Sequence, residues 1–260
     1  MAQDKKHKGM LNRLSVLKFL HRFGWLTAPM LAALVWPDAS QGLAMARRTL
    51  VGMLDAKLVL KRNLPEGLEC FTLSAAGARM LTEQTGIKAS SGASLLLGNE
   101  VHRACGTWYL IEKINLGLTV WTEHEIQSGH APIHRVNGKV PDGLVATEYG
   151  WLWVEVENAW KNRAQRAKVV HFCTDYLPPS SLHEMQELAP AHYLFRVVIV
   201  GTTPESLRAI ARSYIDAYEA QELSESQAAD VELVYQPLTP RLTPAQPPVT
   251  GSLWHDVLNR

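Results

Sequence analysis

Trp151-Leu152-Trp153-Val154-Glu155-Val156-Glu157-Asn158 is the stretch on which the fold turns. Successive side chains of an extended chain point to opposite faces, so Leu152, Val154 and Val156 share one face. Trp151, Trp153, Glu155 and Glu157 share the other. Upstream, Lys139-Val140-Pro141-Asp142-Gly143-Leu144-Val145 reads as a preceding strand, and Leu118 to Ile126 alternates as an earlier one. A loop containing Gly, His and Pro (128–138) separates these two. Downstream, Leu194 to Val200 is apolar almost throughout, as a buried central strand should be. The alternating segments within 118–157 are therefore expected to pair antiparallel, with 194–200 as a parallel neighbour. Helical spacing marks 98–116, a basic amphipathic stretch at 161–177, and 203–222, which opens on Thr203-Pro204-Glu205. The order is helix, three strands, helix, strand, helix, an α/β (α+β) arrangement with a mixed sheet flanked by helices.

The carboxylates carry the chemistry. If the strands bearing Asp142 and Glu155 are neighbours, these side chains converge at one edge, with Glu157 two residues on. Such a group repels itself unless a cation joins it. Mg²⁺ or Mn²⁺ is the expected cofactor, because such ions take oxygen ligands and keep water and substrate phosphate in their shell. A bound ion of this kind activates water and neutralises charge developing on a phosphodiester. Asp142, Glu155 and Glu157 are the candidate metal ligands. Glu100 and His102 stand in the first turn of helix 98–116 and are candidates to assist, His102 as general base or phosphate partner. His124, His130 and His134 lack ligand spacing and read as structural or surface residues. Trp151 and Trp153 have two open roles, stacking on unpaired bases or packing beneath a covering helix. Lys161, Arg163, Arg166 and Lys168 line a basic helix suited either to phosphates or to solvent.

The first third of the chain reads differently. Residues 1–86 carry 12 Lys and Arg against 6 Asp and Glu, a net of +6, while the rest carries 14 against 19, a net of −5. A basic segment on a near-neutral chain points to a polyanionic partner. Leu11, Leu14, Leu17, Leu20 and Phe23 predict a helix over 11–23. Thr27 is placed to cap a second helix from Pro29 to Trp36, and a third runs over about 41–56, with Leu43, Ala46, Leu50 and Leu54 on its inner side. Lys57 to Arg62 and Leu68 to Leu73 flank Asn63-Leu64-Pro65-Glu66-Gly67 as a hairpin, and Ser74 caps a helix over 75–85. Three helices, a two-stranded wing and a closing helix are the order of a winged helix-turn-helix. The junction Phe71-Thr72-Leu73-Ser74-Ala75-Ala76-Gly77 resembles that family's. The resemblance implies DNA binding, with the third helix in the major groove and the wing on the backbone. Gln41, Arg47 and Arg48 would then face bases, and Lys61 and Arg62 phosphates.

The span from Pro141-Asp142 to Glu155-Val156-Glu157, behind a helix bearing Glu100, resembles the PD-(D/E)XK phosphodiesterases, a restriction-endonuclease-like fold. With the winged helix in front, the chain is similar to the replication-relaxation family, which includes MobC-type relaxases of mobilisable plasmids. The resemblance covers about residues 10–220. It implies a metal-dependent DNA endonuclease, a nickase or relaxase acting in plasmid or mobile-element transfer or replication. DNA would be its partner, along with other mobilisation or replication proteins. One departure matters: the family's usual motif lysine would stand at 157, where this chain has Glu157. Lys161, four residues on, is placed to reach back in its stead. The alternative is a non-catalytic DNA-binding accessory or regulator with a degenerate nuclease fold.

The domain plan is a winged helix over 10–86, a small-residue linker at 87–97, the nuclease-like domain over 98–236 and a Pro-rich tail from 237. That tail has five prolines by residue 248, which argues against packed structure. Of 260 residues 47% are apolar, ample for packed cores, yet no run approaches the roughly 18 apolar residues of a membrane helix. The basic start leads into no apolar segment, so a secretory signal is not expected. Cys70, Cys105 and Cys173 form no C-x-x-C pair, so neither a disulfide framework nor a zinc knuckle is indicated. Scattered thiols fit a reduced cytoplasm.

Overall fold

Val16, Leu17, Leu20 and Phe23 recur at three-to-four spacing, and all four are buried, which orients helix α1 (Ala2–Phe23). Helix α2 (Ala28–Val35) adds Met30, Leu31 and Leu34, and α3 (Gly42–Asp55) adds Ala46, Leu50 and Met53 to the same core. Strands β1 (Val59–Asn63) and β2 (Glu69–Leu73) form an antiparallel hairpin in register Val59↔Leu73 to Asn63↔Glu69. Its tip turns through positive φ at Glu66 and Gly67. Leu26 exchanges backbone hydrogen bonds of 3.1 and 2.8 Å with Phe71, so the segment before α2 borders the hairpin. Helix α4 (Ala75–Thr85) closes this unit. Ser74 is its N-cap, accepting from Gly77 N at 2.9 Å and donating to the Lys57 carbonyl at 2.6 Å. Gly77 has a packing reason: a Cβ there would stand 2.0 Å from the Leu58 carbonyl oxygen. In the computed structural model the described residues are 2–158, 163–178 and 186–253. The chain divides into two compact units, residues 1–100 and 101–260.

The second unit is built on one mixed sheet. Helix α5 (Glu100–Asn115) leads into β3 (Thr119–Thr122), the short helix α6 (Glu123–Gln127), β4 (Gly143–Thr147) and β5 (Gly150–Val156). Helix α7 (Arg163–Tyr176) follows, then β6 (Glu187–Ala189), β7 (His192–Gly201), α8 (Pro204–Glu219), α9 (Glu225–Ala229), β8 (Val231–Tyr235) and β9 (Val249–Ser252). The sheet order is β3-β4-β5-β7-β8-β9, with β6 also beside β7. β3, β4 and β5 are antiparallel, and β5, β7 and β8 run parallel. The parallel pairing demands crossovers, which α7 and then α8 with α9 supply. Trp153, Leu144, Val197 and Ile199 on one face pack with Phe172 and Cys173 of α7 and with Leu207, Ile210 and Tyr214 of α8. The opposite face meets α5: a Cβ on Gly106 would lie 3.1 Å from Val156, and one on Gly143 would lie 3.0 Å from Leu110. Burying a Val, Leu or Ile side chain fully stabilises by about 1.5–3 kcal/mol, so this two-sided sheet is the stable centre of the unit.

The expected antiparallel trio and its parallel neighbour are present, but several local expectations are corrected. The strand predicted over 118–126 stops at Thr122. There Thr122 and Glu125 form a capping box, Glu125 N donating to Thr122 Oγ1 (3.1 Å) and Thr122 N to Glu125 Oε2 (2.9 Å). Satisfying the helix N-terminus outweighs continued alternation, and 123–127 becomes α6. Leu43, expected inside α3, is 37% exposed; Met53 takes the inner position instead. The 87–97 stretch is not a free tether, because Gly92 N donates to the Leu73 carbonyl at 2.8 Å. The Pro-rich segment is packed as well. β9 pairs with β8, Leu242 is buried, and Trp108 Nε1 donates to the Leu242 carbonyl at 2.7 Å. Prolines forbid internal ladder bonds at their own nitrogens, but they leave the intervening residues free to pair. No helix among the described residues is long and apolar enough to cross a membrane.

Candidate functional site

Alternation along β5 sends Glu155 to the same face as Trp153, into the layer covered by α7 and α8. Glu155 is only 6% exposed. Its Oε1 accepts from Trp153 Nε1 at 2.6 Å and from Lys139 Nζ at 2.8 Å. Lys139 owes its position to a tight turn. Asn137 and Gly138 both have positive φ, and Val136 and Lys139 exchange backbone hydrogen bonds of 2.9 Å on either side of them. Asn-Gly is the dipeptide best suited to such a turn. The Lys139 ammonium also lies 5.5 Å from the centre of the Phe172 ring. A buried carboxylate without a partner is costly, and this lysine and indole supply the compensation.

Asp142 sits one residue before β4 and extends the ladder to β5. Its N–H donates to the Val154 carbonyl at 2.9 Å, and its Oδ2 accepts from Val156 N at 2.8 Å. Its Oδ1 lies 3.1 Å from Nε2 of His102, one turn into α5. Both oxygens are thus engaged on the α5 side and along the strand edge. Glu157 follows β5, donates through its N–H to the Val200 carbonyl at 2.8 Å, and is 3% exposed. Burial holds the Tyr214 phenol well above its usual range, and the neighbouring Cys173 and the charges of Glu155 and Glu157 add to that. The two glutamates therefore act on the α7–α8 side. Burial likewise pushes the Cys105 and Cys173 thiols up to about 12. Both are poor nucleophiles at neutral pH.

Asp142, Glu155 and Glu157 were expected to share an ion. Among the described residues, no group of three or more His, Cys, Asp and Glu side chains is disposed to hold a metal together. The donor chemistry points the same way. Glu155 already has a lysine ammonium against it, and Asp142 already has a histidine and a backbone N–H. As placed, Glu155 and Asp142 are each held by protein groups. Glu100 occupies the first position of α5, where a negative charge favours the helix terminus. Lys161 lies outside the described residues, and Arg163 is the first residue of α7. Arg166 ties two helices together, Nε donating to Ser213 Oγ at 3.1 Å. It lines a groove of about 400 Å³ that also contains Asp216 and Glu222, a mixed-charge setting poorly suited to phosphate. Trp153 is buried against Phe172, ring centres 4.4 Å apart, so it packs and does not stack on bases. Trp151 sits between Trp121 and His192, with ring centres 4.9 and 5.0 Å away.

In the first unit the predicted contact residues fall into two groups. Gln41 at the N-cap of α3, and Arg47 and Arg48 one to two turns on, are all exposed. Arg47 and Arg48 form no ion pair with any described residue. The hairpin cations are engaged within the unit. Lys61 Nζ pairs with Glu69 across the strands at 2.9 Å. One guanidinium nitrogen of Arg62 donates to the carbonyls of Gly92, Ala93 and Leu95, at 3.2, 3.3 and 2.8 Å. Sequence reasoning missed Lys139 altogether, although Asn137-Gly138 was a readable hairpin signal just before it. No family model, no curated protein and no solved structure compared with the chain matches it.

Proposed function

We propose that the chain is a DNA-binding protein whose first unit is a winged helix and whose second unit is an endonuclease-like fold kept as a binding and assembly scaffold. Its setting would be the plasmid or mobile-element transfer or replication that the sequence resemblance implies. The observation that carries this reading is where the charges stand. The arginines of α3 are exposed and form no ion pair with any described residue, which leaves them available to read a groove. Two of the carboxylates expected to do metal chemistry are instead engaged by protein groups, Glu155 by Lys139 and Trp153 and Asp142 by His102 and a backbone N–H. The element order α5-β3-β4-β5-α7-β7, interrupted only by the short α6 and β6, supports descent from the endonuclease-like topology.

A second reading, a metal-dependent nickase, has one observation in its favour. Lys139 places an ammonium on Glu155, and the family's pattern also keeps a lysine close to the acidic pair. Under that reading Asp142 and Glu155 must exchange their present partners for the ion. The two readings separate in one experiment. Supercoiled plasmid, with and without a transfer origin, is incubated with the protein in Mg²⁺ and in Mn²⁺, beside a titration of duplex binding against salt. The expected result is salt-dependent binding with no nicking. Nicking that disappears in Asp142→Ala and Glu155→Ala, with binding retained, would replace this proposal by the nickase.

A further inference from the structure

Residues 44, 47, 48 and 51 fall at intervals of three and four, so Ala44, Arg47, Arg48 and Val51 occupy one face of α3. All four are exposed, and Val51 is 59% exposed. Leu43, at the edge of the same face, is 37% exposed. This one solvent-facing surface combines two arginines that pair with no described residue and exposed aliphatic side chains. The major groove of DNA offers both counterparts side by side: guanine presents two acceptors to an arginine, and thymine presents an apolar C5 methyl group. A third cation belongs to the same surface. A Cβ on Gly52 would lie 3.7 Å from a guanidinium nitrogen of Arg13, so this exposed α1 residue reaches alongside α3 where α3 has no side chain.

We propose that α3 recognises thymine through its methyl group, with Val51 and Ala44 making the apolar contact, Arg47 and Arg48 reading neighbouring guanine, and Arg13 of α1 anchoring the adjacent phosphate. The inference rests on the DNA-binding reading of this unit and adds to it which base is read and by which side chains. An apolar side chain distinguishes thymine from cytosine by contact alone, since cytosine lacks the methyl. It distinguishes thymine from uracil on the same ground, with every hydrogen-bonding group unchanged. Arg13 contributes affinity without sequence preference, as phosphate contacts do.

The test uses the full chain and a library of duplexes with a randomised centre. The tightest-binding duplex is enriched, resynthesised with uracil for each thymine in turn, and titrated against wild type, Val51→Ser, Val51→Thr and Arg13→Gln. Uracil at a contacted position is expected to weaken wild-type binding about fourfold, the effect of withdrawing one methyl-sized apolar group from contact. Val51→Ser abolishes that sensitivity at one position, and Val51→Thr, which keeps a methyl, retains part of it. Arg13→Gln weakens all duplexes alike and lowers the salt slope by about one. Thermal melting checks that each variant is folded. If an enriched site binds equally well with uracil throughout, methyl reading is overturned while DNA binding stands. If uracil weakens wild type and Val51→Ser equally, the assignment to Val51 is overturned. If nothing is enriched and no salt-dependent binding is seen, the DNA-binding reading fails and this inference with it.

Discussion

On α3, Arg47 and Arg48 are exposed and form no ion pair with any described residue, held out by a helix whose inner face is Ala46, Leu50 and Met53. Glu155 on β5 and Glu157 just after it extend an equally regular element, yet both are buried, and Glu155 is locked to Lys139 and Trp153. The two regions place charge by the same alternation of faces and obtain opposite results. A helix packed on one side only has an outward face to spare. A strand at the centre of a sheet covered on both sides has none, so a charge on it must find an internal partner. A cation in the first setting is available to a ligand; a carboxylate in the second is part of the structure.

The largest effect is expected where that contrast is sharpest. Lys139→Met leaves the buried Glu155 carboxylate with the Trp153 indole alone and should destabilise the second unit by about 3–5 kcal/mol. Adding Glu155→Gln should recover most of the loss, because the amide removes the buried charge. Hydrogen exchange of the β5 and β7 amides reads this locally. A cost below about 1 kcal/mol would mean a loosely held pair, and the carboxylate would then be accessible to a metal.

Next in size is the α3 face. Reversing Arg47 and Arg48 to Glu should lower duplex affinity at least tenfold for each arginine, with no change in melting temperature, since neither holds the fold together. A loss of stability instead of affinity would dissolve the contrast, showing that the exposed arginines are structural after all.

The smallest expected signal is in the thiols. Burial raises Cys105 and Cys173 from the usual 9.0 to about 12. At pH 8 a thiol-disulfide reagent should therefore find the native protein nearly unreactive and the urea-unfolded chain fully reactive. Linkage gives the sign of the pH effect. Below pH 9 both states keep these protons and the contribution is whole. Above 9 the unfolded chain releases them while the folded chain does not, so stability declines as pH rises toward 12. Rapid labelling of native Cys173 would show that the layer enclosing Glu155 opens, again favouring an accessible site.

Much of this was readable in the sequence where a single element decides the outcome. Period-two alternation in 151–157 and the apolar run 194–200 specify β5 and β7, and Ser74 before a small-residue turn specifies the start of α4. The capping box at Thr122–Glu125 was also readable, but the alternating pattern around it has the same residues and pulled the expectation toward a longer strand. Arg62 could not be assigned from its neighbours. Its partners are carbonyls about thirty residues away, and nothing local distinguishes a phosphate-seeking arginine from one that will fasten a following segment. Lys139 is the corresponding case at the carboxylates: it is sixteen residues from Glu155 in the chain and 2.8 Å from it in space.

By itself the sequence determined the elements and their faces, since helix and strand periodicity, caps and turn dipeptides act over a few residues. It thereby established that α3 would present arginines and that the 151–157 segment would carry two carboxylates on one face. Only the tertiary structure decided what those charges meet. Whether Glu155 faces an ion, water or Lys139 depends on how a two-residue turn lays 136–139 over the sheet, and whether 249–252 hangs free or completes it depends on the unpaired edge of β8. Burial and pairing are set by contacts between distant segments, and a local pattern carries no record of them.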